Sequence, residues 1–176
     1  MRRNRGNDMN NEMMNNEMII NEMLSDDWDQ VKSIYIEAIN KGNATFDKEA
    51  PSWENWDTNH FATCRLVARL EGKVAGWAAL TPISSRPAFS GVAEVSIYIS
   101  ELAKGKGIGS ALLKALIENS EQEGFWTLQS GIFPENIASL NLHYKYGFRE
   151  VGVREKIGKL DGVWRDIVLL ERRKAD

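Results

Sequence analysis

The sequence predicts one α/β domain with its elements in the order β-α-α-β-β-β-α-β-α-β-β, and three observations carry that reading. Apolar residues recur at helical spacing in some stretches and alternate with polar ones in others. Two dipeptides, Glu71-Gly72 and Asp161-Gly162, join strand-like runs as hairpin turns. Glycines at 105, 107 and 109 separate an alternating run from an apolar helix. With 176 residues the chain has the length of a single domain and enough of it to bury a core.

Residues 1–17 are rich in Asn and Met and lack periodicity, which predicts a disordered tail, and the domain takes up 18–176. Met18 to Met23 reads as the first strand and a natural start for the domain. After Ser25-Asp26-Asp27, which can cap a helix, Trp28, Val31, Ile34, Tyr35, Ala38 and Ile39 mark a core-facing helix that Gly42 ends. Pro51-Ser52 caps a second helix carrying Trp53, Trp56 and Phe61, aromatics read as packing groups because their surroundings are acidic. Arg65 to Leu70 and Lys73 to Thr81 form a hairpin. The loop from Pro82 to Gly91 leads to the central strand, Val92 to Ile99, whose polar face holds Glu94, Ser96 and Tyr98. Ile108 to Glu123 is a helix, Phe125 to Ile132 a strand, and Ile137 to Tyr146 a helix ended by Gly147. Phe148 to Ile157 and Val163 to Arg172 close the chain as a second hairpin.

Charge and composition narrow the function. Lys and Arg number 22 against 25 Asp and Glu, a net charge of −3, which argues against a general nucleic-acid or membrane-surface binder. Cys64 is the single cysteine, so no disulfide framework or cysteine metal site is expected, and a cytoplasmic setting is the simplest inference. No apolar run reaches the roughly 18 residues of a membrane span.

The glycine turn is the strongest chemical signal. Three glycines before an apolar helix allow a sharp turn, leave backbone N–H groups uncovered, and direct them with the helix dipole at one spot, a corner suited to phosphate. The dinucleotide fingerprint fits weakly, because Ser110 stands where Gly or Ala belongs and no acidic residue ends the next strand. A Walker motif is absent, since no Gly-Lys-Ser/Thr follows. Lys104, Gly107 and Gly109 resemble the pyrophosphate loop Gln/Arg-x-x-Gly-x-Gly/Ala of the GNAT superfamily of N-acetyltransferases, with Lys104 in place of Arg or Gln. Asn136-x-x-Ser139-x-x-Leu142-His143-x-Lys145-x-Gly147-Phe148 is similar to that family's second signature. The resemblance runs from Met18 to about Arg173.

That resemblance implies a mixed, mostly antiparallel sheet with helices on both faces and acetyl-CoA as co-substrate, with no metal. The pantetheine arm would pair with the backbone of Ile97, Tyr98 and Ile99. The pyrophosphate would lie on Lys104, Gly105, Lys106, Gly107, Ile108, Gly109 and Ser110, with Asn136 and Lys145 also on the cofactor. Glu94 is the candidate base and His143 the candidate acid. Leu142-His143, Thr45-Phe46, Arg86, Glu94 and Trp164-x-Asp166 further resemble the phosphinothricin N-acetyltransferase branch, which acetylates compact amino acids such as phosphinothricin, methionine sulfoximine and methionine sulfone. There Arg86 would pair with an acidic group of the substrate while Phe46 and Trp164 wall its pocket, and the enzyme would be a homodimer. The rival expectations are acetylation of protein N-termini or polyamines, a catalytically silent CoA-binding module, and, third, a dinucleotide-binding domain.

Overall fold

Alternation along the strands sorts side chains into two cores, one on each face of a single sheet. The computed structural model describes residues 17–175, so the tail expected at 1–17 lies outside them apart from Glu17. The strands are β1 (Ile19–Glu22), β2 (Leu66–Leu70), β3 (Lys73–Pro82), β4 (Val92–Ile99), β5 (Thr127–Ile132), β6 (Arg149–Leu160) and β7 (Val163–Arg173). They pair in the order β1-β2-β3-β4-β5-β7-β6. All neighbours are antiparallel except β4 and β5. The helices are α1 (Trp28–Lys41), α2 (Trp53–Asn59), α3 (Ile108–Gln122) and α4 (Ile137–Lys145). Ala78, Leu80, Ala93 and Val95 pack with Ile108, Leu112, Leu116 and Leu140 of α3 and α4. Trp77 and Ala79, one residue out of phase, pack with Val31, Ile34 and Trp56 of α1 and α2. The mixed sheet with helices on both faces is the fold class that the sequence predicts.

Both hairpin turns have two successive residues with positive φ, 51° and 78° at Glu71 and Gly72 and 49° and 81° at Asp161 and Gly162, as a type I′ turn requires. Gly42 caps α1 at φ 71°. Ser52 caps α2, its side chain accepting from Asn55 N–H at 3.3 Å.

Four local expectations need correction. Phe61 lies beyond α2; its N–H donates to Leu80 O and its ring meets Phe125 in the other core. Ser25–Asp27 is a 3₁₀ turn, in which Asp27 accepts from Leu24 N–H at 2.9 Å and pairs with Arg69 at 2.8 Å. β5 starts at Thr127, because Phe125 N–H is taken by Ser120 O at 2.9 Å and Trp126 N–H by Gly91 O at 2.8 Å. β6 continues to Leu160 through a bulge between Arg154 and Gly158, across which Asp166 Oδ1 accepts from Lys156 N–H at 2.7 Å.

Candidate active site

The one parallel pair is also the shortest. β4 and β5 are paired at Val92, Ala93 and Glu94 against Thr127, Leu128 and Gln129, and no further. β3 holds the other edge of β4 along its length and β7 holds β5, so the two strands part in a V. Between them lies a cleft of about 50 Å³, lined by Val95 to Tyr98, Ser130 to Phe133, Asn136, Ser139 and His143. Backbone direction alternates along a strand. Ser100 N–H donates to Ala75 O of β3 at 2.9 Å, so Tyr98 and Ser96 also direct their backbone toward β3. Ile97 and Ile99 therefore turn their N–H and C=O groups away from β3, Ile97 into the cleft. Of the three strand residues expected to hold pantetheine, these two offer main-chain partners and Tyr98 a side chain.

At the open end of the V the chain turns through Lys104 to Gly107 into α3. Gly105 and Gly107 both have φ of 77°, and a Cβ on either would meet nothing within 4 Å. They are glycines for conformation, and the space beside them is free for a ligand. Gly109 differs, since a Cβ there would lie 3.1 Å from Leu142 Cδ2 of α4. Ala111 N–H makes the first helical bond, to Gly107 O, which leaves the N–H groups of Ile108, Gly109 and Ser110 unpaired in the first turn. Lys145 Nζ lies 3.4 Å from Ser110 Oγ, beside that turn. Lys104 pairs with Glu101 at 2.5 Å, and Lys41 of α1 pairs with the same carboxylate. Glu37, also on α1, accepts from Glu101 N–H at 2.8 Å and from Ser100 Oγ at 3.4 Å. Lys106 is exposed.

Asn136 caps α4, its Oδ1 accepting from Ser139 N–H at 3.3 Å while the residue lines the cleft. His143 is 1% exposed and packs edge-on against Phe148. Its Nδ1 lies 2.8 Å from Ser139 O, which can only accept, so Nδ1 carries the proton and Nε2 a lone pair. Nε2 has no partner among the described residues, and burial holds the imidazole below its usual pKa, hence neutral near pH 7. A general acid would need a proton at Nε2. The ring as folded has an acceptor there.

Glu94 sits at the closed base of the V, where its Oε2 accepts from Gln129 Nε2 at 3.0 Å. It lies one pleat from Ser96 on the same face, about 7 Å along the strand. The three expected substrate residues do not converge within one chain. Arg86 is exposed, its guanidinium 5.7 Å from the Phe89 ring. Phe46 is half-buried against Phe133 and closes on Gly158, where a Cβ would meet its ring at 2.9 Å. Trp164 is 53% exposed, with Lys159 Nζ 4.6 Å over its ring.

A second space was not foreseen. On the α1 and α2 side of the sheet a chamber of about 310 Å³ is lined by Tyr35, Asp47, Glu49, Pro51, Asn55, Trp56, Asn59, His60, Trp77, Ser96 and Tyr98. Ser96 and Tyr98 line both chamber and cleft. The Tyr98 hydroxyl is pushed up to about 12, first by burial, so it is a neutral phenol at any working pH. Asp47 accepts from the Tyr35 hydroxyl, fixing the loop after α1 against that helix. The signal for this chamber was present as Trp56-x-x-x-His60, an i, i+4 pair that stacks the imidazole on the indole at 4.0 Å.

A glycine turn on a helix N-terminus, beside a V with a free strand edge, presents uncovered backbone groups of the kind that suit an acyl-CoA thioester. Residues 24–148 match the acetyltransferase (GNAT) family, and the chain belongs to it. The phosphinothricin N-acetyltransferase of Alcaligenes faecalis is 34% identical over 84% of this chain and 78% of its own length. The L-methionine sulfoximine/L-methionine sulfone acetyltransferase of Pseudomonas aeruginosa is 33% identical over 80% and 86%. Among solved structures, a ribosomal-protein-alanine N-acetyltransferase from Brucella melitensis superposes with a TM-score of 0.83 at 30% identity, over 89% of this chain and 99% of that one. A phosphinothricin acetyltransferase from Sinorhizobium meliloti in complex with AcCoA gives 0.81 at 29% identity, over 89% and 88%. The protein is an acetyl-CoA-dependent N-acetyltransferase. Among the described residues no group of three or more His, Cys, Asp or Glu is placed to hold a metal ion, and no helix is long and apolar enough to cross a membrane.

Proposed function

We propose that this enzyme acetylates the α-amine of a compact amino acid, phosphinothricin, methionine sulfoximine or methionine sulfone being the test cases, as a detoxification activity in the cytoplasm. The observation that carries the reading is the likeness to enzymes named for these substrates over four-fifths of the chain. In it, the unpaired N–H groups of α3's first turn hold the pyrophosphate of acetyl-CoA, with Lys104, Gly105, Lys106 and Lys145 around it. Ile97 and Ile99 pair with the pantetheine, and a cleft-facing N–H of the same edge stabilises the oxyanion as the thioester carbonyl is attacked. Asn136 and His143 close the cleft, His143 as a hydrogen-bond acceptor. Glu94 acts through water, one pleat from Ser96, on a proton leaving the amine nitrogen.

Arg86, Phe46 and Trp164 find their role in a homodimer. Val151, Val153, Ile157, Val163 and Trp164 stand exposed on β6 and β7, apolar side chains that a second copy would cover. A second copy covering this hairpin completes the substrate pocket with Arg86 as its anion partner. The free thiol of Cys64 accords with a reducing compartment. The test is a panel: phosphinothricin, methionine sulfoximine and methionine sulfone against an alanine-initiated peptide, the substrate type that the Brucella neighbour's name brings forward. Acetylation of the amino acids with the peptide untouched is expected. The reverse pattern would overturn the substrate assignment.

A further inference from the structure

Acetyl transfer to an aliphatic ammonium needs two protons removed from one nitrogen, the first before attack, since at pH 7 an α-amine is mostly protonated. Glu94 is poorly placed for the first. It is bonded to Gln129 and lines neither space. His60 has what Glu94 lacks. Its Nδ1 lies 2.7 Å from Trp56 O, an acceptor, so Nδ1 bears the hydrogen and Nε2 a lone pair with no hydrogen-bond partner among the described residues. Its ring is held flat on Trp56, 18° from parallel, and lines the chamber that meets the cleft at Ser96 and Tyr98.

The chamber's chemistry suits a cation. Asp47 and Glu49 supply carboxylates, and Tyr35, Trp56, Trp77 and Tyr98 supply aromatic walls. Trp56 and Trp77 each carry an indole N–H that is buried and without a hydrogen-bond partner among the described residues. We propose that this chamber is the port through which the acceptor's ammonium group reaches the thioester, and that His60 takes the first proton from it. The inference rests on the acetyl-transfer chemistry of the site and uses the amino-acid reading only to choose an assay substrate.

The step balances. Nε2 of His60 receives a proton from the ammonium and becomes imidazolium, and the amine lone pair attacks the thioester carbon. The C–N bond forms and the C–S bond breaks, its electron pair leaving on sulfur. The second proton passes from nitrogen to that thiolate, Glu94 and water relaying it, and the imidazolium returns its proton to solvent once the product has left. The charged and titratable neighbours of His60 are Asp57 and Arg65, the latter bonded to His60 O at 3.0 Å, and across the chamber Asp47, Glu49, Tyr35 and Tyr98. Burial first, and Arg65 with it, lower the imidazole pKa against the Trp56 carbonyl and Asp57, so the ring is free base at neutral pH.

The experiment is a pH profile of kcat/KM for the parent, His60→Gln and His60→Ala, with the acceptor that the parent turns over fastest. The parent is expected to lose activity on the acid side, below the usual histidine value of about 6.5. His60→Gln should lose roughly 10²-fold at pH 7, keep its KM for acetyl-CoA and show no acid limb. His60→Ala should regain activity with added imidazole in proportion to imidazole free base. A His60→Gln variant within threefold of the parent with the acid limb in place, or a limb that vanishes only in Glu94→Gln, would overturn the proposal. Should both variants fail to fold by circular dichroism, the parent with ¹⁵N-labelled histidine decides. Movement of the His60 Nε2 resonance when methionine sulfone or phosphinothricin saturates the complex with CoA, which has no acetyl group to transfer, supports the assignment; a fixed resonance at saturation refutes it.

Discussion

The two sides of β4 are built differently. On its cleft edge the site consists of backbone: the free groups of Ile97 and Ile99 and the uncovered N–H groups that begin α3. On its α1 and α2 face the chamber is lined by side chains from five places in the chain, among them Tyr35, Asp47, His60, Trp77 and Tyr98. A backbone site depends on conformation, and a few glycines specify it. The side-chain chamber depends on which elements meet.

The sharpest way to break this contrast is at Gly107. With φ of 77° and open space beside it, valine would both strain the turn and fill the phosphate corner, so acetyl-CoA binding should fall at least about 100-fold while the fold persists. Unchanged affinity by calorimetry would show that the backbone corner is not where phosphate binds. Next in size is Glu94→Gln, expected to lower kcat/KM by roughly 10²-fold with acetyl-CoA affinity retained; steady-state kinetics from pH 6 to 9 that match the parent would remove Glu94 from proton transfer. Arg86→Ala should raise the KM for phosphinothricin roughly 10- to 150-fold at nearly constant kcat, the size of a charge-assisted contact of about 1.5 to 3 kcal/mol. Equal KM values in parent and variant would detach Arg86 from the substrate.

The smallest effect is on stability. His60 and His143 are both held below their usual pKa by burial, so the unfolded chain binds protons more readily than the folded one. Their contribution is complete above the unfolded value of about 6.5 and declines as pH falls through it. The melting temperature should therefore drop between pH 7 and pH 5, and His143→Phe should drop less. Parallel melting curves in parent and variant would mean that His143 does not titrate in this range.

Much of the fold was legible because each element is punctuated locally. Gly42 and Gly147 end helices with positive φ, and Glu71-Gly72 and Asp161-Gly162 turn hairpins. The bulge in β6 was not, because three residues opposite Asp166 keep strand-like composition and only the partner strand shows the excess. Phe61 was read into the helix of Trp53 and Trp56 yet lies beyond it and packs in the opposite core, a tertiary choice that local sequence does not express. In the candidate site, glycine spacing marked the turn with uncovered N–H groups at the start of α3. The chamber stayed hidden because Trp56 was read as packing, which it also is, against Trp28, Trp53 and Trp77. Nothing in the strand sequences marks where β4 and β5 part.

Helix α1 touches both sides of the site. Tyr35 forms part of the chamber wall, while Glu37 and Lys41 are bonded to Ser100 and Glu101, whose carboxylate also holds Lys104 at the glycine turn. A ligand that draws Lys104 toward its phosphates shifts a partner of α1, and a helix moves as a unit. With both substrates bound as proposed, this run of contacts would link them in free energy, and linkage is reciprocal. Whatever factor acetyl-CoA adds to the affinity for the amine, the amine must add to the affinity for acetyl-CoA, and cutting the tether at Glu37 should reduce both factors equally.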